Sequence, residues 1–405
     1  METAAIVKAL QDPMGLPFSP LLFQVLMVLT FALHILFVNF TLGTSFLALY
    51  GRLRGGEPWG RLSPALAKAA PANVSLAMLL GVAPLLFVQV VYDPFWYASN
   101  LLSAAWVIGF VLIMMAGYSS LYVFYLQGKK KEGNGWTLFG ALSVALFLLA
   151  GVIMHSLGYQ LLQPEKWYQW YVRGAAVDAS GLSLHSFQLP RLLHFIVPSL
   201  AVTGIFLMLY AWYFRNRGNS DKAHLARVGA AGAKLAFFFT MLQALVGFWW
   251  LLSLPTELDF LNSPFFLTAL SFGIALLVLL YFSQNDPIRY AVPSGLGIFL
   301  TVLAMSYARE GLRMEYLGRF DYSIFAYKVN VDWASTSLFL ATFVMGLVII
   351  AYLAAVAFQS GRVEGVYEAS PAMHRLGRLS IALLLIWLAV VVGLGVAVSL
   401  RNLGA

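Results

Sequence analysis

Ten long apolar runs, separated by short polar segments, set the layout of this chain. They lie near residues 21–50, 73–92, 98–127, 136–162, 189–214, 229–253, 264–284, 291–309, 334–358 and 379–400. A helix of about 20 apolar residues crosses the hydrocarbon core of a bilayer. The pattern therefore predicts an all-α fold, a polytopic transmembrane helical bundle of about ten spans. The first and third runs are long enough to tilt or to project beyond the membrane. Segments 163–188 and 310–333, rich in Trp, Tyr and mixed charge, are expected as ordered caps. The expected layout is a surface segment over 1–19, a bundle over 20–360, and over 361–405 a cytoplasmic loop followed by an added span. The opening METAAIVKALQDPMGLPFSP lacks a basic n-region and a small-residue cleavage site, and is read as a short amphipathic helix against the membrane surface.

Composition agrees: of 405 residues, 61% are hydrophobic and 10% charged, so lipid is the solvent for most of the chain. The net charge of +8 is no nucleic-acid signal, because the basic residues sit in short loops beside lipid headgroups. Arg52, Arg54, Arg61, Lys68, Lys131, Arg215, Arg217, Lys222, Arg227, Arg289, Arg362, Arg375 and Arg378 fall on one side. The positive-inside rule puts that side in the cytoplasm and both termini outside. Cysteine is absent, which excludes disulfides, iron–sulfur clusters and covalently attached c-type haem from this chain.

Six histidines are present. His224 and His374 fall among basic loop residues and are read as solvated; His185 falls in the first cap. His34, His155 and His194 lie inside spans, where an imidazole is costly unless its nitrogen is used. At a rise of about 1.5 Å per residue, His155 and His194 both lie within roughly 10 Å of the outer end. Two such histidines on successive helices can be the axial ligands of one haem; the plainer alternative is a hydrogen bond from each to a facing helix. Span interiors hold essentially no Asp or Glu, which speaks against a proton-driven carrier. Tyr307, Arg309, Glu310 and Arg313 are expected at the outer end of the eighth span. They could hold a quinol headgroup, with Arg or Tyr on an oxygen and Glu taking a proton. On the residues alone an Arg–Glu interface anchor is the stronger reading. Glycines and prolines within spans, Gly81, Pro198 and Gly247 among them, discriminate nothing.

Two helices carry a family resemblance. FALHILFVNFTLGTSFLALYGRL has a His followed by Phe and then T-L-G; LLHFIVPSLAVTGIFLMLYAWYF has an early His. In these the chain resembles the large subunit of cytochrome bd quinol oxidases. The resemblance implies that His34 stands where that family ligates haem in its oxygen-reducing pocket, and His194 where it ligates a low-spin haem b near the outer face. The family's Y-G-R-Q-P-W reads Tyr307-Ala308-Arg309-Glu310-Gly311-Leu312 here. The Met that completes the low-spin haem is missing from the seventh helix, the glutamates of the oxygen site are missing from the third, and the family's haem-ligating Glu is missing from the eighth. These departures argue against oxygen reduction and leave His155 or His185 to face His194.

The expected function is thus a multi-pass subunit of a respiratory electron-transfer complex in a bacterial inner membrane. It would bind haem b non-covalently and pass electrons between the quinone pool and an outer-face partner, a c-type cytochrome or iron–sulfur protein. A different class of reading is a haem-free quinone-binding or structural anchor for such a complex.

Overall fold

The computed structural model describes residues 2–130, 136–174, 176–217, 220–363 and 365–403; Lys131 lies outside them. In chain order the helices are α1 (Glu2–Ala9), α2 (Pro20–Arg54), α3 (Arg61–Val91), α4 (Asp93–Leu102), α5 (Ala104–Lys130), α6 (Thr137–Gln160), α7 (Trp167–Tyr171), α8 (Leu189–Ile196) and α9 (Pro198–Phe214). They continue as α10 (Lys222–Leu252), α11 (Pro264–Ser283), α12 (Ala291–Gly318), α13 (Trp333–Ser360) and α14 (Pro371–Leu403). Among the described residues, ten helical segments are long and apolar enough to cross a membrane, with α8 and α9 forming one of them. The protein is a polytopic transmembrane helical bundle.

Helix α2 is central: it packs against α3, α6, α9 and α12. It starts with Pro20 in its first turn and stops at Gly55, whose φ is 66°, a backbone that glycine adopts without strain. Gly204 of α9 and Gly232 of α10 let those two backbones meet, since a Cβ on either would run into the other helix. Helices α13 and α14 pack on each other at the periphery with their apolar faces exposed.

Several boundaries differ from the expected ones. The second span begins at Arg61, not 73, because Leu62, Leu66, Ala70 and Val74 recur every four residues and are buried. Lys68 on the exposed face made that turn read as a loop. The third run breaks at Ser103, whose hydroxyl donates to the Ser183 carbonyl at 2.7 Å. The last helix starts at Pro371, so 371–378 is helical rather than loop. The eighth span continues to Gly318, which shortens the second cap to 319–332. His224 is not solvated: it is 6% exposed in the first turn of α10, and its Nδ1 lies 2.7 Å from Glu57 Oε2.

One end of the bundle is closed by a cap. Gln160 Nε2 donates to the Ser99 carbonyl at 3.3 Å and its Oε1 accepts the His185 N–H at 2.7 Å. Residues 1–19 join this cap: the Leu16 N–H donates to the Lys328 carbonyl and the Asn330 N–H to the Leu16 carbonyl, both at 2.8 Å. Val7 and Leu16 are buried. Asp93, 7% exposed, accepts from Tyr327 Oη and from the Asp12 N–H at 2.8 Å. Burial raises its pKa above the usual carboxylate range, against the pull of those hydrogen bonds.

Candidate functional site

His34 sits on α2 about 21 Å along the helix from Pro20 at 1.5 Å per residue. Its Nδ1 donates to the Ala77 carbonyl of α3 at 2.8 Å. That fixes the neutral tautomer and leaves the lone pair on Nε2. One turn on from Ala77 is Gly81; a Cβ there would lie 2.8 Å from the imidazole ring, so glycine sets the ring's seat. An axial haem ligand needs this combination, one nitrogen fixed by a carbonyl and the other free to donate its lone pair.

His194 has a different seat. Pro198 follows it by four residues and has no N–H to give the His194 carbonyl. Gln243 of α10 fills the gap, donating from Nε2 to that carbonyl at 2.8 Å. The His194 ring lies against Gly247, where a Cβ would come within 3.0 Å, and its centroid is 5.1 Å from the Trp250 ring. Its Nδ1 is buried without a hydrogen-bond partner. A buried, unsatisfied imidazole nitrogen is a group that a coordinating or hydrogen-bonding partner would satisfy.

The other two histidines have structural partners. His155 accepts the Gln188 N–H on Nε2 at 3.0 Å and packs against Phe187, while its Nδ1, like that of His194, is buried without a hydrogen-bond partner. The His185 ring stacks on Trp170 with centroids 5.2 Å apart, and its Nε2 donates to the Leu102 carbonyl at 3.2 Å. Both tie the cap to the helices beneath it.

The polar cluster lies deeper than expected. Glu310 is eight residues before the end of α12, about 12 Å by helical rise, and is 2% exposed. Its Oε1 accepts from Tyr92 Oη at 2.5 Å and its Oε2 from Arg313 Nη1 at 3.0 Å. The Arg313 guanidinium lies over the Tyr92 ring at 4.8 Å. The charge at Glu310 is therefore shared inside the bundle instead of anchoring at water. Arg309 points elsewhere, 4.1 Å over the Phe31 ring one turn before His34. Tyr307 leaves the cluster: it is 42% exposed and packs on Phe265, 4.7 Å between centroids.

Arg191 and Tyr92 were not singled out from sequence. Arg191 is 7% exposed and donates to the His155 and Gly158 carbonyls at 3.1 and 3.3 Å. The signal for it was an arginine inside an apolar run, three residues before His194. Nothing in sequence pairs Tyr92 with Glu310, 218 positions away. Among the described residues only Arg313 pairs with Glu310, so Arg191 and Arg309 add a positive excess to this part of the bundle. Among the described residues, no group of three or more His, Cys, Asp and Glu side chains is arranged to hold a free metal ion.

No protein-family model matches this sequence, and no curated protein matches it. Among solved structures the chain is similar to one in the bd oxidase from Geobacillus thermodenitrificans. That match has 12% identity and a TM-score of 0.64, and it covers 84% of this chain and 98% of that one. The fold is thus bd-oxidase-like.

Proposed function

We propose that this protein is the membrane subunit of a bacterial respiratory electron-transfer complex. It binds haem b at His34 and His194 and exchanges electrons between the quinone pool and a redox partner, a c-type cytochrome or iron–sulfur protein, at the capped end. The observation that carries the reading is the His34 imidazole. Deep in the central helix, its Nδ1 is committed to the Ala77 carbonyl, its Nε2 lone pair is left over, and Gly81 clears its face. The likeness to a bd oxidase chain supports it.

Haem b bound there supplies a one-electron couple within a low-dielectric bundle. This chain's residues do the rest. Ala77 and Gly81 orient His34. Gln243 and Gly247 orient His194. Arg309 offers its guanidinium N–H groups to an oxyanion or a quinol oxygen near Phe31. A quinol oxidised here would release two protons, one taken by the Glu310 carboxylate that Tyr92 and Arg313 hold and one by water at the capped end, while its two electrons would pass on to the redox partner. The positive excess of Arg191 and Arg309 favours anionic groups such as haem propionates or a deprotonated quinol.

A second reading, a haem-free quinone-binding or structural anchor, draws on His155 and His185, whose Nε2 atoms are already hydrogen-bonded within the protein. A reduced-minus-oxidised spectrum of the purified protein, with haem extracted and counted per chain, separates the two. The haem reading expects a b-type signal that His34→Ala and His194→Ala each diminish and His155→Ala leaves in place. A well-folded preparation without haem refutes it.

A further inference from the structure

Away from the histidines, the ends of α9 and α13 enclose a cavity of about 70 Å³ lined by Tyr213, Phe214, Asn216, Arg217, Gly361 and Arg362. A single water needs roughly 10–15 Å³ of such space, so the cavity has room for a larger polar group. Its floor is fixed by Tyr213, whose hydroxyl donates to the Phe358 carbonyl at 2.5 Å. Gly361 is required beside it, since a Cβ there would collide with the Tyr213 hydroxyl.

Among the described residues, neither Arg217 nor Arg362 has a carboxylate partner. The Nε of Arg217 is buried with no hydrogen-bond acceptor. The Arg362 guanidinium is spread over Trp212, Tyr213 and Phe358 at 5.3, 5.3 and 4.5 Å. Stacking on those rings holds the planar group in place and leaves its N–H edge free. Two helix C-termini also meet here, and together they amount to about one negative charge. Set against two guanidiniums, this leaves a net charge of about +1. A monoanion balances that. The site also stands where two membrane-crossing helices end, amid Trp and Tyr, at the depth of lipid headgroups.

We propose that this cavity binds the phosphodiester of an anionic phospholipid, with Arg217 and Arg362 donating to its oxygens and the aromatic rings lying along its acyl chains. A bound lipid would join α9, a helix of the central bundle, to the peripheral α13.

The test uses the full-length protein in a neutral detergent, read by native mass spectrometry for lipid adducts and by thermal unfolding. Phosphatidylglycerol should give a retained adduct and a higher Tm, while phosphatidylcholine and inorganic phosphate should give neither. Arg217→Gln and Arg362→Gln should each weaken phosphatidylglycerol binding about fivefold. Arg375→Gln, an exposed arginine on α14, should leave it unchanged and so controls for general loss of surface charge. Equal binding of the two lipids, undiminished binding in both cavity variants, or equal protection by inorganic phosphate each overturns the proposal.

Discussion

The side chain of Gln243 on α10 donates a hydrogen bond to the backbone carbonyl of His194 at 2.8 Å. That carbonyl is unserved within its own helix because the residue four positions on is Pro198. The glutamine completes a helix that the proline interrupts, and in doing so it fixes the backbone from which the His194 imidazole projects.

Gln243→Leu should therefore leave a buried carbonyl unsatisfied and destabilise the protein by about 1–3 kcal/mol. Pro198→Ala restores the helical N–H donor. In the double variant the loss from Gln243→Leu should shrink markedly, as measured by a thermal double-mutant cycle. Additive losses would show that Gln243 acts in some other way.

Gly81 and Gly247 each lie against a histidine ring: a methyl at Gly81 would meet it at 2.8 Å, and one at Gly247 would press on it at 3.0 Å. Gly81→Ala should displace His34, and Gly247→Ala should displace His194. Disturbing the surroundings of a ligand commonly costs 10–100-fold in affinity. Haem retained per chain, titrated by reconstitution, should drop in both variants; Gly109→Ala, with open space around it, should be silent.

Glu310→Gln keeps the shape of the side chain but leaves Arg313 buried without its counter-charge. Removing one member of a buried pair costs about 3–5 kcal/mol. Tyr92→Phe, which deletes one hydrogen bond to the same carboxylate, should cost less. Unfolding midpoints that rank Glu310→Gln as the milder change would contradict the arrangement of charges described above.

Asp93 gives a pH dependence with a definite sign. Its pKa in the folded protein is raised by burial, so the folded state holds that proton more tightly than the unfolded chain does. The contribution is complete below the ordinary carboxylate value of about 4 and is lost as pH rises through the raised value. Thermal unfolding across that window should show the wild type losing stability with rising pH more steeply than Asp93→Asn. Parallel curves would mean that Asp93 titrates normally.

The sequence by itself determined the class of this protein. Apolar runs of bilayer length admit few structures other than spanning helices, because length and hydropathy are properties of each segment alone. His34 and His194 were legible for the same reason: an imidazole within such a run stands out against its neighbours. Boundaries were lost where charged residues lay within a helix: at Arg61 and Lys68 they form an exposed face that looks like a loop, and before Gly318 the charges of Glu310 and Arg313 are buried and paired, which sequence alone does not reveal. The pairings were not in the sequence. His34 with Ala77, His194 with Gln243, and Glu310 with Tyr92 join residues 43, 49 and 218 positions apart. Only the packing of α2 on α3, of α8 on α10 and of α3 near α12 brings them within hydrogen-bond reach. Burial then decides their chemistry. It turned His155 and His185 into struts of the cap, left a nitrogen unpaired at His194 as at His155, and moved Glu310 from an expected surface anchor to a charge shared inside the bundle.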